Sequence, residues 1–353
     1  MEVYARELAA ALAARDDLEL VLLANRLIDD RWPDVERMGM PVDPRRRVEW
    51  VLGDQVHVPR AAARARADVV HSLASTSPAV GRTVRVTTIH DLNYRLVPET
   101  HFGMRGLGMR VLVPLAARRS HRLLVDAEST RRDLSGYLRT PRDKVDVVPL
   151  AARVPSKPEA TPDSDLRARL ELGERPLVLS LSAKRPHKNL PRLLRALAGL
   201  KPERRPVLVV PGYPTPHERE LYALAGELGL ADLVRLPPWL PAPDLEGLYD
   251  AAACVVFPSL YEGFGLPVLE AMARGVPVAC SDRSSLPEVA GDAALLFDPE
   301  DVDAIRRSME RLLSDTVLAG RLRIAGRERA AEFTWERTAD LTVRCYRRAL
   351  DSA

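Results

Sequence analysis

Short apolar runs of strand length alternate with amphipathic helical runs along almost the whole chain, and this alternation constrains the fold more than any other feature. In the first half, strands are expected at residues 18–24, 68–73, 84–89, 122–126 and 144–149. In the second half, strands are expected at residues 176–182, 206–212, 233–237, 254–259, 276–282 and 293–298. Continuous apolar strands joined by helices are typical of parallel sheets that are covered on both faces. The sequence therefore predicts an α/β fold of two doubly wound parallel-sheet domains.

A segment rich in Pro, Ser and acidic residues, 154–165, is interpreted as the linker between these domains. The length of 353 residues suits two domains of roughly 150–200 residues. We expect an N-terminal domain over 1–153, a C-terminal domain over 166–335, and a last helix within 336–353 that packs back toward the N-terminal domain. Ligands of such sheets bind beyond the carboxyl ends of the strands, so the cleft between the domains is the expected binding place.

The chain begins inside what looks like the first helix of a doubly wound domain. The first strand and the Gly-rich turn that usually open such a domain are missing from the sequence. Two explanations stay open: the coding start was placed downstream of the natural one, or the chain lacks these elements and is catalytically impaired. The first residues are charged and helical, which is not the pattern of a signal peptide.

The composition excludes several classes of protein. A net charge of +3 is too small for a dedicated nucleic-acid binder with one basic face, so no nucleic-acid partner is expected. Three cysteines without a C-x-x-C pair can form neither a disulfide framework nor a four-cysteine zinc site. No apolar run approaches the roughly 20 residues that a membrane span requires. We therefore expect a cytoplasmic protein.

Only five of the 52 basic residues are lysines, and the other 47 are arginines, a bias typical of a high-GC genome. Lysine positions are therefore more informative than arginine positions. Lys184 and Lys188 lie together with Arg185 in the segment 182–189, at the end of an expected strand, and Asn189 is expected to cap the next helix. A cation cluster at this place suits a diphosphate, whose charge grows as it leaves. The alternative is a solvated basic loop.

Two glutamates, Glu262 and Glu270, flank a strand-to-helix turn eight residues apart. Pro267 stands where a first helical residue is expected, so the amides of Gly265, Leu266 and their neighbours open a helix, which suits a phosphate. One carboxylate in the loop and one in the first helical turn can face the same ligand. Sugar hydroxyls would supply the donors that carboxylates beside a phosphate need. Taken alone, either glutamate is explained equally well as a helix-dipole or solvated carboxylate.

In the first domain, the strand expected at 84–89 ends in His90 and Asp91. Taken alone, His90 is interpreted as a capping or turn residue. A hydrogen bond from Asp91 to the backbone or to the imidazole would fix the tautomer of the ring. Further along, Ser129 is expected first as a helix N-cap and second as a ligand contact.

The stretch EGFGLPVLEAMARG, residues 262–275, resembles the signature of retaining, nucleotide-sugar-dependent glycosyltransferases of the GT-B fold, the large family-four group. The resemblance extends from residue 1 to about 340, and it implies two Rossmann-like domains that face each other across a cleft. By this resemblance Glu262 contacts the transferred sugar and Glu270 holds the ribose hydroxyls of the nucleotide. The loop amides between them serve the phosphate and the sugar, namely those of Gly263, Phe264, Gly265 and Leu266.

The resemblance also gives roles to the basic segment and to the His-Asp pair. The family places an Arg-x4-Lys pair at the basic segment to grip the pyrophosphate. Lys188 matches that lysine, whereas Ala183 stands at the arginine position, so Lys184 or Arg185 is expected to substitute. His90 matches a histidine near the reacting sugar. A phosphate oxygen is the implied base, and no side-chain nucleophile is expected.

We therefore expect a retaining enzyme that moves a hexosyl group from a nucleoside-diphosphate sugar, with GDP-mannose slightly favoured, to an acceptor hydroxyl. The expected acceptor is a glycan, a glycolipid or a small molecule of bacterial cell-envelope synthesis. His90, Lys188 and Glu262 are the expected catalytic residues. Glucose, galactose and rhamnose donors stay open. The alternatives are a non-hydrolysing nucleotide-sugar 2-epimerase and a catalytically impaired sugar-nucleotide-binding protein.

The sequence gives no reason to expect a metal or another cofactor. Asp301-Val302-Asp303 has the D-x-D form of metal-dependent enzymes, but it begins an amphipathic helix and is interpreted as helix N-terminal acids. The glycine-rich residues 103–108 follow no strand and are not a dinucleotide fingerprint. Apolar and arginine residues interleave in the stretch 104–119. This pattern predicts either peripheral contact with the inner face of the plasma membrane or a core-packed helix.

Overall fold

The computed structural model describes residues 2–25, 32, 35–43, 45–98, 104–153 and 159–353. The chain divides into two compact units, which are Met1–Leu150 with Phe333–Ala353, and Ala151–Glu332. All described strands pair in parallel, so the prediction of two doubly wound α/β units is confirmed. Residues 154–158 of the predicted linker and Gly103 lie outside the described residues.

The strands of the first unit are β1 (Val21–Ala24), β2 (Glu36–Gly39), β3 (Val69–Ser72), β4 (Val84–Thr88), β5 (Arg122–Val125) and β6 (Val145–Val147). Strands β3 to β6 form one sheet in the order β3-β4-β5-β6, and β1 pairs with β2 in a separate two-stranded sheet. Five of these strands were predicted. β2 was missed because its sequence, ERMG, has no apolar run and is mostly exposed.

The helices of the first unit that precede the second unit are α1 (Glu2–Ala13), α2 (Arg47–Leu52), α3 (Val58–Ala65), α4 (Asn93–Leu96), α5 (Met104–Arg119) and α6 (Glu128–Leu138). Helix α5 packs Val113 and Ala117 into the core beside Ile89 and Leu123, while Val111 is 61% exposed. Its described side chains therefore include a core-packed face, as one of the two alternatives predicted. The side chains of residues 104–107 lie outside the described part of the chain.

The strands of the second unit are β7 (Leu177–Leu179), β8 (Val207–Val209), β9 (Val234–Arg235), β10 (Ala252–Phe257), β11 (Val278–Ser281) and β12 (Leu295–Phe297). All were predicted from their apolar runs. They form one parallel sheet in the order β12-β11-β10-β7-β8-β9. The strand order changes direction between β7 and β10. In open α/β sheets such a switch point is where the loops at the carboxyl edge diverge and a ligand binds.

The helices of the second unit are α7 (Asp163–Arg169), α8 (Leu190–Ala198), α9 (Glu218–Glu227), α10 (Ala242–Ala251), α11 (Leu266–Ala273), α12 (Leu286–Ala290), α13 (Val302–Ser314) and α14 (Thr316–Ala331). Helix α7 begins inside the segment predicted as a linker. At the start of α13, Asp301 accepts a hydrogen bond from the backbone N–H of Ala304 at 3.0 Å. This contact supports the interpretation of the D-x-D sequence as helix N-terminal acids.

The last helix, α15 (Trp335–Asp351), belongs to the first unit. Cys345 and Ala349 are buried in one cluster with Val86 of β4 and Leu124 of β5. The hydroxyl of Thr338 donates to the carbonyl of Pro149 at 2.7 Å. Within the described residues, no helix combines the length and the apolar character needed to cross a membrane.

The approach of α10 to α7 requires a glycine, which gives a first prediction. A Cβ on Gly247 would lie 2.2 Å from the carbonyl oxygen of Thr161 and 2.6 Å from Cδ1 of Leu166. We expect Gly247→Ala to lower the free energy of unfolding by about 1–3 kcal/mol, because the backbone of α10 must move away. The measurement is urea unfolding followed by circular dichroism.

Gly226 of α9 is the matched control, since a Cβ there meets nothing within 4 Å. Gly226→Ala is expected to raise the free energy of unfolding by up to about 1 kcal/mol through helix propensity. Equal effects of the two substitutions would contradict the close approach at Gly247.

Candidate active site

The switch point of the second unit brings together the loop after β7 and the loop after β10. The backbone N–H of Leu260 donates to the carbonyl of His187 at 2.8 Å. The side-chain amide of Asn189 donates to the carbonyls of Pro258 at 3.0 Å and Pro299 at 2.7 Å. Asn189 occupies the N-cap position of α8, but its side chain makes no capping bond. The predicted capping role is therefore corrected: the side chain ties loops together instead.

Lys188 and Glu262, both predicted site residues, form an ion pair across these two loops. The distance from Lys188 Nζ to Glu262 Oε1 is 2.6 Å, and the side chains are 15% and 13% exposed. The ammonium also lies 5.5 Å from the centroid of the Phe257 ring. The carbonyl of Glu262 accepts hydrogen bonds from the hydroxyls of Ser284 at 2.6 Å and Ser285 at 3.0 Å. A cation and a carboxylate thus meet at the carboxyl edge of the sheet.

The turn between the two glutamates delivers the N-terminus of α11 to the same edge. Gly265 is the N-cap residue with φ of +114°, and a Cβ there would lie 2.7 Å from Cδ2 of Leu286, so only glycine fits. Phe264 is buried, and its carbonyl accepts from the hydroxyl of Ser285 at 2.7 Å. The helix starts at Leu266, one residue earlier than predicted from Pro267. First-turn amides lack partners within the helix and favour an anion.

Glu270 is partly buried and lies in the second turn of α11, not in the first as predicted, because the helix begins at Leu266. The hydroxyl of Tyr249 donates to its Oε2 at 3.3 Å. Burial raises the pKa of Glu270 from its ordinary value of 4.5 to about 6, while the positive charge of Arg274 opposes this shift. The carboxylate is thus an acceptor that changes protonation just below neutral pH.

Lys184, predicted as a substitute cation for the diphosphate, is fully buried. Its ammonium donates to the carbonyls of Gly212 at 2.7 Å and Pro237 at 2.6 Å, and it lies 3.7 Å from Glu218 Oε2. Burial lowers the pKa of Lys184, and Glu218 counteracts this effect. The prediction is corrected, because this ammonium holds the loops after β8 and β9. Arg185, which is half-buried in the loop after β7, remains the candidate substitute.

In the first unit, His90 lies at the end of β4 and is held at both ring nitrogens. Nδ1 donates to Oδ2 of Asp126 at 2.7 Å, and Nε2 donates to the carbonyl of Leu73 at 3.0 Å. Both partners are acceptors, so both bonds form only with the protonated ring. Burial opposes this charge, but Asp126, with Asp91 and the Leu73 carbonyl, raises the pKa of His90 overall.

Asp91 does not hold the imidazole. Its carboxylate accepts from the backbone N–H of Asn93 at 2.9 Å and from the Asn93 side chain at 2.7 Å, which shapes the start of α4. Asp91 therefore bonds to the backbone, as one of the two predicted options, but it does not fix the His90 tautomer, because Asp126 is the partner of the imidazole Nδ1. The expectation for Ser129 is also corrected, because Ala127 is the N-cap of α6 and Ser129 lies in its first turn.

Sequence reasoning missed Asp126, Tyr249, Glu246 and Arg274. Asp126 carried a usable signal, since it follows β5, the neighbour of β4, and so meets the end of β4. Tyr249 and Glu246 lie on α10, where the sequence carried no such signal, and Arg274 directly follows α11 inside the stretch 262–275. Among the described residues, no group of three or more His, Cys, Asp or Glu side chains could hold a metal ion.

Comparison with known proteins matches both units to glycosyltransferases. Residues 163–329 match the profile of the family described as Glycosyl transferases group 1, and residues 1–152 match that of Glycosyltransferase Family 4. Over 268 residues the chain is 33% identical to the O-antigen chain mannosyltransferase B of Escherichia coli. The aligned region covers 74% of this chain and 70% of that protein.

Solved structures agree on the fold. Sucrose-phosphate synthase from Thermosynechococcus elongatus has a TM-score of 0.76 at 22% identity, with 99% of this chain and 94% of that one covered. Anabaena HepE, in complex with UDP and glucose, has a TM-score of 0.73 at 19% identity, with 97% and 94% covered. These likenesses show the fold alone, and they confirm the predicted GT-B class.

The burial of Glu270 gives a prediction about stability. A carboxyl group whose folded-state pKa lies above its unfolded value destabilises the fold once it ionises. This cost is absent below pH 4.5, grows as the pH rises to about 6, and is then full, at about 2 kcal/mol. We expect Glu270→Gln to raise the free energy of unfolding by up to that amount at pH 7.5 and by much less at pH 4.5. Urea unfolding at both pH values measures it.

Glu328→Gln, at an exposed position of α14, is the control and is expected to change stability by less than about 0.5 kcal/mol at both pH values. A Glu270→Gln variant that is no more stable than the parent at pH 7.5 would show that Glu270 is not strained by burial.

The corrected role of Lys184 gives a further prediction. Lys184→Met keeps most of the side-chain volume but leaves the carbonyls of Gly212 and Pro237 without their donor. We expect a loss of about 3 kcal/mol in the free energy of unfolding, against less than about 0.5 kcal/mol for Lys201→Met at an exposed position. If Lys184→Met kept its stability but bound the diphosphate more weakly, the original prediction that Lys184 contacts the diphosphate would be supported.

Proposed function

The chain belongs to the family of glycosyl transferases group 1, and from this premise we propose that it transfers a hexosyl group from a nucleoside-diphosphate sugar to an acceptor hydroxyl. We propose that the transfer retains the configuration of the anomeric carbon. One observation carries the proposal: the switch point of the second unit places Lys188, Glu262 and the N-terminus of α11 at one edge, with Glu270 in the same helix. Lys188 supplies a cation that can bind phosphate, and the two glutamates supply carboxylates that can accept hydrogen bonds from hydroxyl groups.

In the proposed donor site, each side chain contacts a different part of the nucleotide sugar. The Glu270 carboxylate accepts hydrogen bonds from the two ribose hydroxyls, and the Glu262 carboxylate accepts from hydroxyls of the transferred sugar. The Lys188 ammonium, now 2.6 Å from Glu262, contacts the diphosphate. Binding therefore exchanges the Lys188–Glu262 contact for contacts of both side chains with the donor.

The leaving diphosphate gains negative charge as the bond to the sugar breaks. Lys188, Arg185 and the amides of Gly263, Gly265 and Leu266 are groups that stabilise such charge. The bonds between the loops set the backbone of both segments before the donor binds, so we expect little backbone reorganisation at the transition state. The proposed reaction therefore needs no bound metal, and a phosphate oxygen accepts the proton of the acceptor.

His90 of the first unit fits this division of roles. A ring that donates at both nitrogens is protonated and cannot act as a general base. We propose that His90 orients the reacting sugar as a positively charged, rigid group. The proton of the acceptor then goes to the donor phosphate and not to this imidazole.

The relatives indicate which donor sugars and acceptors to favour. The relative from Escherichia coli is a mannosyltransferase of O-antigen chains, so we favour GDP-mannose and a glycan or glycolipid acceptor. HepE binds UDP and glucose, which keeps UDP-glucose in the panel of donors to be tested.

The Glu262-x7-Glu270 signature and the family membership favour transfer over 2-epimerisation. We propose that the reaction takes place in the cytoplasm.

A panel of nucleotide sugars with the purified chain tests this proposal. With the best donor, we expect Glu270→Ala to abolish measurable binding of the nucleoside diphosphate by calorimetry. Lys188→Ala is expected to lower kcat by about 10²–10³-fold while the Kd changes less than about tenfold. Proton NMR of the product is expected to show the anomeric configuration of the donor.

Glu328→Ala and Lys201→Ala, at exposed positions, are the matched controls and are expected to keep binding and turnover. Parent-like binding and turnover in both site variants would contradict the donor site. Release of an epimerised donor without an acceptor would favour the 2-epimerase alternative.

A further inference from the structure

A buried ion pair joins α10 to the residue that directly follows α11, the helix of Glu270. Arg274, which directly follows α11, donates to Glu246 of α10 through Nε at 2.8 Å and Nη2 at 2.6 Å, and the two side chains are 8% and 10% exposed. A two-point contact between a guanidinium and a carboxylate fixes the orientation of both groups. The guanidinium also donates through Nη1 to the carbonyl of Glu270 at 3.0 Å.

Tyr249 connects this ion pair to the Glu270 carboxylate. The guanidinium carbon of Arg274 lies 4.5 Å from the centroid of the Tyr249 ring, and the tyrosine is 1% exposed. Burial, with the nearby Glu270 charge, raises the pKa of Tyr249 well above its ordinary value, so its hydroxyl stays protonated and donates. The acceptor of that donation is Oε2 of Glu270, at 3.3 Å.

Four charged or titratable groups act on the Glu270 carboxylate from the elements around it. Tyr249 and Glu246 belong to α10, Arg274 directly follows α11, and Arg153 precedes α7 in the same unit. Tyr249, Arg274 and Arg153 favour the ionised carboxylate, while the charge of Glu246 disfavours it. Because the Arg274 guanidinium is bonded to Glu246, its positive charge counters the repulsion between the Glu246 and Glu270 carboxylates.

We propose that Tyr249 and Arg274 are positioning residues that aim the Glu270 carboxylate at the ribose hydroxyls of the donor, with Glu246 holding Arg274 in place. The inference rests on the proposed function, and it assigns roles to residues that do not themselves contact the donor. Tyr249 occupies one lone pair of Oε2, which leaves Oε1 and the other lone pair of Oε2 to the two hydroxyls. A protonated or rotated Glu270 loses one of these acceptors.

The variant Tyr249→Phe tests the inference, because it removes one oxygen and keeps the ring that Arg274 covers. The probes are GDP and UDP, with Kd measured by calorimetry from pH 5.5 to 8.5. At pH 6.5 we expect the Kd of the better probe to rise about tenfold. As the pH is lowered, the affinity of Tyr249→Phe is expected to fall at a higher pH than that of the parent, since Glu270 loses a donor that favours its ionised form. At pH 8.5 the loss is expected to be smaller.

Two further variants separate positioning from general destabilisation. Arg274→Lys keeps the charge but not the two-point contact, so we expect a smaller upward shift of the pH profile than in Arg274→Met. Tyr222→Phe, on α9 at a residue 49% exposed, is the control and is expected to match the parent at every pH. Thermal unfolding of each variant shows whether it is folded under the conditions of the titration.

A titration without ligand keeps the inference testable apart from the proposed function. The carboxyl carbon of Glu270, assigned in ¹³C-glutamate NMR by comparison with Glu270→Gln, is expected to titrate at higher pH in Tyr249→Phe than in the parent. Unchanged titration and an unchanged pH profile of Kd would overturn the inference while the proposed function stands. If no nucleotide binds the parent, the proposed function fails, and the assignment of these residues to a donor fails with it.

Discussion

The switch in strand order between β7 and β10 is the constraint on which the candidate site depends. Two adjacent parallel strands whose following helices pack on opposite faces leave their loops free to diverge at the carboxyl edge. In this chain the two loops are then fastened by Leu260 to His187 and by Asn189 to Pro258. Lys188 and Glu262 meet because of this fastening, although 74 residues separate them in sequence.

Buried charged side chains are the second organising feature of this unit, and each of them is paired or hydrogen-bonded in a different way. Lys184 has two carbonyl partners, and it fixes loops instead of a ligand. Arg274 is paired with Glu246 inside the unit. Among the described residues, the Glu270 carboxylate has one side-chain donor, a tyrosine hydroxyl at 3.3 Å, and its pKa is raised, so it is the least satisfied of these groups. A carboxylate that is short of donors is suited to accept hydroxyls from a ligand.

Sequence patterns predicted the parts of the molecule that depend on local order. Apolar runs located the strands of the large sheets, and one motif located Glu262, Glu270 and the N-terminus of α11. The partners of individual polar groups were less accessible. Lys184 binds carbonyls 28 and 53 residues away, and His90 binds Asp126 and not its neighbour Asp91. Such choices depend on how loops from different strands approach each other, which no short window of sequence contains.

We propose that Lys188, Glu262 and Glu270 form the donor site of a nucleotide-sugar transferase. A crystal structure of the chain with the nucleoside diphosphate of its best donor tests this claim most directly. We expect ribose hydroxyls on the Glu270 carboxylate, the diphosphate on the Lys188 ammonium, and a broken Lys188–Glu262 contact. A nucleotide bound at another edge of the sheet, or one bound while Lys188 stays paired with Glu262, would contradict it.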